Sequence, residues 1–242
     1  MIADKIKFFT GLGMLLIFTI VLAIIFSPVF DGKNGLKYLD ELYNSISKDS
    51  AYYIPDVQED SEEFVGSNVA VTIKMSTAEQ AEQTALLYRE SGADVTVTDT
   101  NLDINGDLGR IIQTSLNDAN VMFYNDGAAI REKYGYDERQ VLYNWWQSSK
   151  KIQDDFEDEK MFDEADFLTR VNERAIEPAY NYYGIEAEDV GERAGVLAFS
   201  LIFYVVYTLL YGYALMYILE GWGLKISKLF PFSFMARIRL ID

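Results

Sequence analysis

Two residue types are missing altogether: the sequence has no cysteine and no histidine. Without cysteine there is no disulfide, no thiolate nucleophile, no iron–sulfur ligation and no covalent c-type haem. Without histidine the usual neutral-pH proton shuttle and the usual axial haem ligand are gone. Neither a Ser-His-Asp nor a Cys-His nucleophile arrangement can be built. Zinc would have to be held by carboxylates alone, which is uncommon. No G-x-G-x-x-G or G-x-x-x-x-G-K-[ST] run is present, so a nucleotide site has no support. Clustered Lys and Arg are also lacking outside the ends that flank the apolar runs. Phosphate contacts need such clusters, so nucleic acid is excluded as a partner. These absences predict a non-enzyme with no cofactor; carboxylate-pair chemistry and oxygen-ligand metal binding stay open.

What is present begins with two uncharged apolar runs. Val196 to Leu219 (VLAFSLIFYVVYTLLYGYALMYIL) is long enough to span a ~30 Å hydrocarbon core as a helix. Phe8 to Phe30 is a second such run, ended by Pro28 and Asp31. Lys5 and Lys7 before it resemble the basic end of a signal peptide. The run exceeds the usual 7–15 residues, however, and no A-x-A-like site follows, which favours an uncleaved anchor.

Basic residues set the expected orientation. Lys5 and Lys7 precede the first run, and Lys225, Lys228, Arg237 and Arg239 follow the second. The intervening ends carry the weaker, scattered set Lys33, Lys37 and Arg193. Both termini are therefore expected in the cytoplasm, in a two-pass protein of the cell (inner) membrane. Residues 31–193 hold 35 acidic and 15 basic side chains, a net of −20 against −17 for the whole chain. The acidity thus belongs to the expected outside domain, where a solubilising surface repelled by anionic headgroups is the plain explanation.

The organisation that follows has five parts. Residues 1–7 form a cytoplasmic stub and 8–30 a first transmembrane helix. Residues 31–193 form an acidic extracytoplasmic α+β domain, 194–219 a second transmembrane helix, and 220–242 a basic, aromatic tail suited to the membrane interface. The fold class is a membrane protein whose two terminal helices enclose one α+β domain, with a βαβ unit followed by a helical part.

Within the domain, Gly35 to Ile46 reads as an amphipathic helix capped by Asn34. Ser47 to Gly66, with Pro55 and many acids, reads as an extended loop. Val69–Met75 alternates as a strand. Ser76-x-x-Glu79 reads as a capping box for a helix to about Glu90. Ala93–Thr98 reads as a second strand, so the unit is expected to be βαβ with parallel strands and a right-handed crossover. Asp99, Asn101, Asp103, Asn105 and Asp107 place oxygens at alternate positions, like the start of a calcium loop. Counted from Asn101, Gly106 falls at position six, but Ile112 stands where the bidentate Glu belongs. A polar β-edge with a turn capping the next helix is favoured instead.

A helix from Asp107 follows, and Ala119 to Tyr124 permits either its continuation or a third strand. Asp137-x-x-Gln140 begins another helix, which the acidic run Asp154–Glu159 is expected to break. A further helix runs from Phe162 to Arg174, kinked or restarted at Pro178. Trp145 and Trp146 suit core packing or stacking on a ligand. Glu177, set among aromatics, suits a helix-end carboxylate or an acid of raised pKa. Glu186 to Arg193 reads as helix running into the second span.

In the second run, Ser200, Tyr204, Tyr207 and Tyr211 share one helix face. A hydroxyl in hydrocarbon needs a partner, so this face is expected to meet another helix. That helix is either the chain's own first span, with Gly11, Gly13, Thr10 and Thr19, or another subunit. No motif is specific enough to name a family. The expected role is a non-catalytic accessory or scaffold subunit of a membrane assembly, with the lipid bilayer and other membrane subunits or further copies of the chain as partners. The alternative is a membrane-anchored module that binds a small ligand or cation.

Overall fold

The computed structural model describes residues 2–224. The expected interfacial tail therefore lies outside the described residues from Lys225 onward. The chain divides into two compact units, residues 1–42 with 189–242, and residues 43–188.

In the first unit, helix α1 (Lys5–Phe26) starts at Asp4, whose carboxylate accepts from the Lys7 backbone N–H at 3.1 Å. Ser27 ends it, and Asp31 and Gly32, both at positive φ, turn the chain between Phe30 and Lys33. Asp-Gly is a favoured pair for such a turn, because both central residues need φ > 0. Asn34 then caps α2 (Gly35–Ser50) through the Lys37 N–H at 2.8 Å. This helix continues four residues past the expected Ile46, and its later turns belong to the second unit.

In the second unit, α3 (Ile54–Asp60) and a 3-10 turn (Ser61–Phe64) occupy the expected loop. Pro55 lies in the first turn of α3, where its missing N–H costs nothing. Next come β1 (Asn68–Lys74), α4 (Ala78–Glu90), β2 (Asp94–Thr98), β3 (Asn101–Asp107) and α5 (Leu108–Phe123). After these run α6 (Gly127–Tyr134), α7 (Glu138–Asp158), α8 (Phe162–Val171), a π-turn (Asn172–Ile176) and α9 (Glu177–Asn181). Last is α10 (Val190–Gly221) of the first unit. Residues 185–189 are not helical and Asp189 caps α10, so the expected continuous helix into the second run is replaced by a break.

The sheet order is β1-β3-β2, with β3 antiparallel to both neighbours. The strands β1 and β2 do point the same way, but β3 lies between them, so the expected βαβ is a split one. This corrects the reading of Asn101–Asp107 as an edge or calcium loop. It is the central strand, and Leu102 and Ile104 are buried while its oxygen-bearing side chains alternate outward. The core side of the sheet (Val69, Val71, Ile73, Leu102, Ile104) meets α4, α5 and α7. Each such side chain gains about 1.5–3 kcal/mol by leaving water. Val121–Tyr124 continues α5 rather than forming a strand, and α7 runs on to Asp158, through most of the acidic run.

One buried carboxylate organises the helical part. Asp118 on α5 accepts from Trp145 Nε1 at 2.8 Å, Tyr134 OH at 2.6 Å and Lys133 Nζ at 2.9 Å. It thereby ties α6 and α7 to α5. Burial, together with the facing Asp118, pushes the Tyr134 hydroxyl pKa up.

Candidate functional site: an aromatic cleft beside Glu177

The two neighbouring tryptophans have different fates because a helix turns by 100° per residue. Trp145 is buried against Tyr88 and Asp118. Trp146 faces a cleft of about 280 Å³ between α7 and the π-turn with α9. The walls are Tyr143, Trp146, Tyr180 and Asn181, with Leu142 and Ile176 behind them and Glu177 at the side. The size is near the lower end for small-molecule sites, which run to roughly 300–1,000 Å³.

The π-turn sets this geometry. Its extra residue shifts Glu177 and Tyr180 around the helix axis relative to α8, and single π-turns recur at functional sites. Within it, Asn172 is buried and neither polar atom of its side chain is hydrogen-bonded. The expected kink at Pro178 is instead a restart, with Pro178 in the first turn of α9.

Trp146 Nε1 donates to Glu177 Oε1 at 2.7 Å, so the carboxylate is held against the indole. The Tyr143 ring stacks beside Trp146 with centroids 5.9 Å apart. Cations already sit on the outer rings: Lys150 Nζ lies 4.5 Å from the Trp146 centroid, and Arg139 lies 5.8 Å from that of Tyr180. Nearby, Glu138 accepts from its own backbone N–H, from Arg131 Nε at 2.9 Å and from Tyr183 OH at 3.0 Å. These bonds hold its carboxyl below the ordinary range. Glu138 is thus a structural anchor for α6, α7 and Tyr183 rather than a proton donor.

The calcium candidates do not converge. Asp103 accepts from Thr72 at 2.7 Å, and Asp107 caps α5 through Arg110 N at 3.1 Å while accepting from Gly66 N at 2.9 Å. Asp99 sits in the β2–β3 turn at φ 57°, and Asn101 and Asn105 lie along β3. Among the described residues there is no group of three or more His, Cys, Asp or Glu side chains placed to hold a metal ion.

In the first unit, the tyrosine face is divided. Tyr207 OH donates to the Phe18 carbonyl at 3.0 Å and its ring stacks on Phe18 at 4.3 Å, while Tyr211 packs on the same ring at 4.9 Å. Ser200 is buried and bonds back to the Leu197 carbonyl at 2.8 Å. Tyr204 is 68% exposed. Gly11 lies against the backbone of Ala214 and Ile218, whereas Gly13 faces open space. Thr19 bonds back to the Leu15 carbonyl at 2.8 Å, satisfying its hydroxyl within α1.

Sequence reasoning passed over three residues. Glu220 pairs with Lys7 at 2.7 Å, next to the Ala3 and Asp4 N–H bonds to the Gly221 carbonyl. A lone acid at the end of an apolar run, level with a lysine at the end of the other, was the available signal. Lys48 is 2% exposed, and its ammonium donates to Ile185 O at 2.6 Å and Asn125 Oδ1 at 3.0 Å. Burial lowers its pKa against the opposing pull of Glu186. Asp118 was the third, and nothing in its sequence neighbourhood marked it as buried.

Among the described residues two helices are long and apolar enough to cross a membrane, Lys5–Phe26 and Val190–Gly221. Comparison with described protein families, with curated proteins and with solved structures finds no match.

Proposed function

We propose that the chain is a two-pass membrane protein whose residues 43–188 form a non-catalytic binding module on the outer side of the membrane, with the Trp146–Glu177 cleft as its site. The cleft carries this reading. It joins three aromatic walls to one oriented carboxylate, and the π-turn that builds it leaves a buried amide without a partner. No nucleophile–base pair accompanies Glu177 among the cleft residues, which supports binding over catalysis.

The scaffold or accessory-subunit reading stands second. Tyr204 and a face of α1 around Leu12, Gly13 and Leu16 favour it, as does an apolar groove of about 820 Å³ between α1, the start of α2 and α10. It ranks lower because Tyr207, the most telling polar residue of the span, already has its partner in α1.

Native mass spectrometry after gentle extraction tests the choice. A bound small-molecule mass on the wild type that disappears in Trp146→Ala supports the binding module. A preparation without adduct, carrying further subunits or a fixed homo-oligomer that Trp146→Ala leaves intact, would overturn it in favour of the scaffold.

A further inference from the structure

We propose that the cleft takes a small quaternary ammonium compound, its methylated nitrogen seated on the tyrosine and indole rings with Glu177 as counter-charge. This rests on the binding-module reading and names the ligand class for the same site.

Four observations converge on it. The cleft walls hold one carboxylate and no lysine or arginine, so their net charge is complementary to a monocation. Three of the walls are aromatic, and the negative face of an aromatic ring attracts cations within about 6 Å of its centroid. Protein cations already lie over these rings, Lys150 over Trp146 and Arg139 over Tyr180. Finally, one Glu177 oxygen is occupied by the indole N–H. The cleft therefore offers a fixed charge beside aromatic faces, which suits a weakly hydrated cation. A primary ammonium is strongly hydrated and must give up more water to reach ring faces, and a metal ion would need many more oxygens than this site has. An anion would face Glu177 directly. The acidity of the surrounding domain, net −20 over residues 31–193, raises the local concentration of any cation and speeds its arrival at low salt.

Lys150 supplies a discriminating control. It lies on Trp146 but is not among the cleft walls. Its charge repels a bound cation and is indifferent to a neutral guest.

The test uses the full chain in phosphatidylglycerol nanodiscs, so that no lipid headgroup carries a quaternary ammonium. Choline chloride and dimethylbutanol, the neutral carbon isostere of choline, are titrated at constant ionic strength while tryptophan emission and thermal unfolding are followed. Choline is expected to shift the emission saturably and raise the unfolding temperature, with the isostere at least tenfold weaker. The emission shift is expected to vanish in Trp146→Phe, which tracks the site. Glu177→Gln is expected to weaken choline at least tenfold and leave the isostere unchanged. Lys150→Met is expected to tighten choline severalfold. Equal binding of choline and isostere, or insensitivity of choline to Glu177→Gln, would overturn the cation class while leaving the cleft as a binding site. Silence toward both probes in the folded wild type would overturn the proposal, and the adduct measurement above then decides the broader reading on its own.

Discussion

Removing the Asp118 carboxylate measures how the helical part is held together. Asp118→Ala deletes the acceptor for two buried donors, Trp145 Nε1 and Tyr134 OH. Each stranded donor costs about 1–3 kcal/mol, so the pair costs about 2–6 kcal/mol. Asp118→Asn is milder. Its amide oxygen can keep both donors, because both go to the same carboxylate oxygen, Oδ2, while the amide nitrogen turns toward Lys133. The Lys133 side chain is 31% exposed and can swing to water, so the loss there is about 1 kcal/mol. Tyr134→Phe alone is expected to cost about 1 kcal/mol, and much less in the Asp118→Ala background, where its partner is already gone. The assay is urea unfolding of the full chain in nanodiscs, followed by tryptophan emission. The reasoning fails if Asp118→Ala costs less than Asp118→Asn, or if Tyr134→Phe costs the same in both backgrounds.

Two further outcomes follow from the geometry. A methyl on Gly11 would lie 2.7 Å from Ile218 N and 2.8 Å from Ala214 O, both backbone atoms, whereas one on Gly13 meets nothing within 4 Å. Gly11→Ala is therefore expected to destabilise the helix pair by about 1–3 kcal/mol in detergent-driven unfolding, and Gly13→Ala to be neutral or mildly stabilising. Above pH 10 the folded domain is expected to lose stability. Burial, then the neighbouring Tyr124, pushes the Tyr52 hydroxyl from 10.0 up to about 12. A group raised on folding contributes fully below its unfolded pKa, and the contribution is lost as pH climbs through the folded one. Thermal unfolding compared between pH 10 and 12 should show a smaller decline in Tyr52→Phe. An unchanged decline would show that Tyr52 is not responsible.

The parts of the fold that local chemistry decides were legible in the sequence. The two long apolar helices follow from length and apolarity, β1, α4 and β2 from alternation and helical spacing, and α7 from its Asp137 cap. Even there the register slipped by one. Thr77, not Ser76, caps α4 by accepting from Gln80 N at 3.1 Å, and the Gln80 side chain returns to Ser76 N at 3.2 Å. The central strand was hidden for a physical reason. Oxygen side chains at every second position describe both a calcium loop and a strand with one face in water, and only sheet pairing separates the two. The cleft was half visible. Trp146 and Glu177 drew attention as residues, but the π-turn that joins them depends on α8 packing against α7, which no short window contains. Lys48 and Asp118 were invisible because their partners lie 15 to 137 residues away along the chain.

The proposed role requires residues 43–188 to face the outer side of a membrane, and the cysteine-free chain makes this directly measurable. Asp154→Cys and Ala3→Cys each introduce the chain's only thiol, on exposed side chains of the domain and of the N-terminal segment. In sealed right-side-out vesicles a membrane-impermeant maleimide should label Asp154→Cys at once, and Ala3→Cys only after the vesicles are opened. Labelling of Ala3→Cys in sealed vesicles with Asp154→Cys protected would contradict the orientation, and labelling of both would contradict a membrane crossing between them.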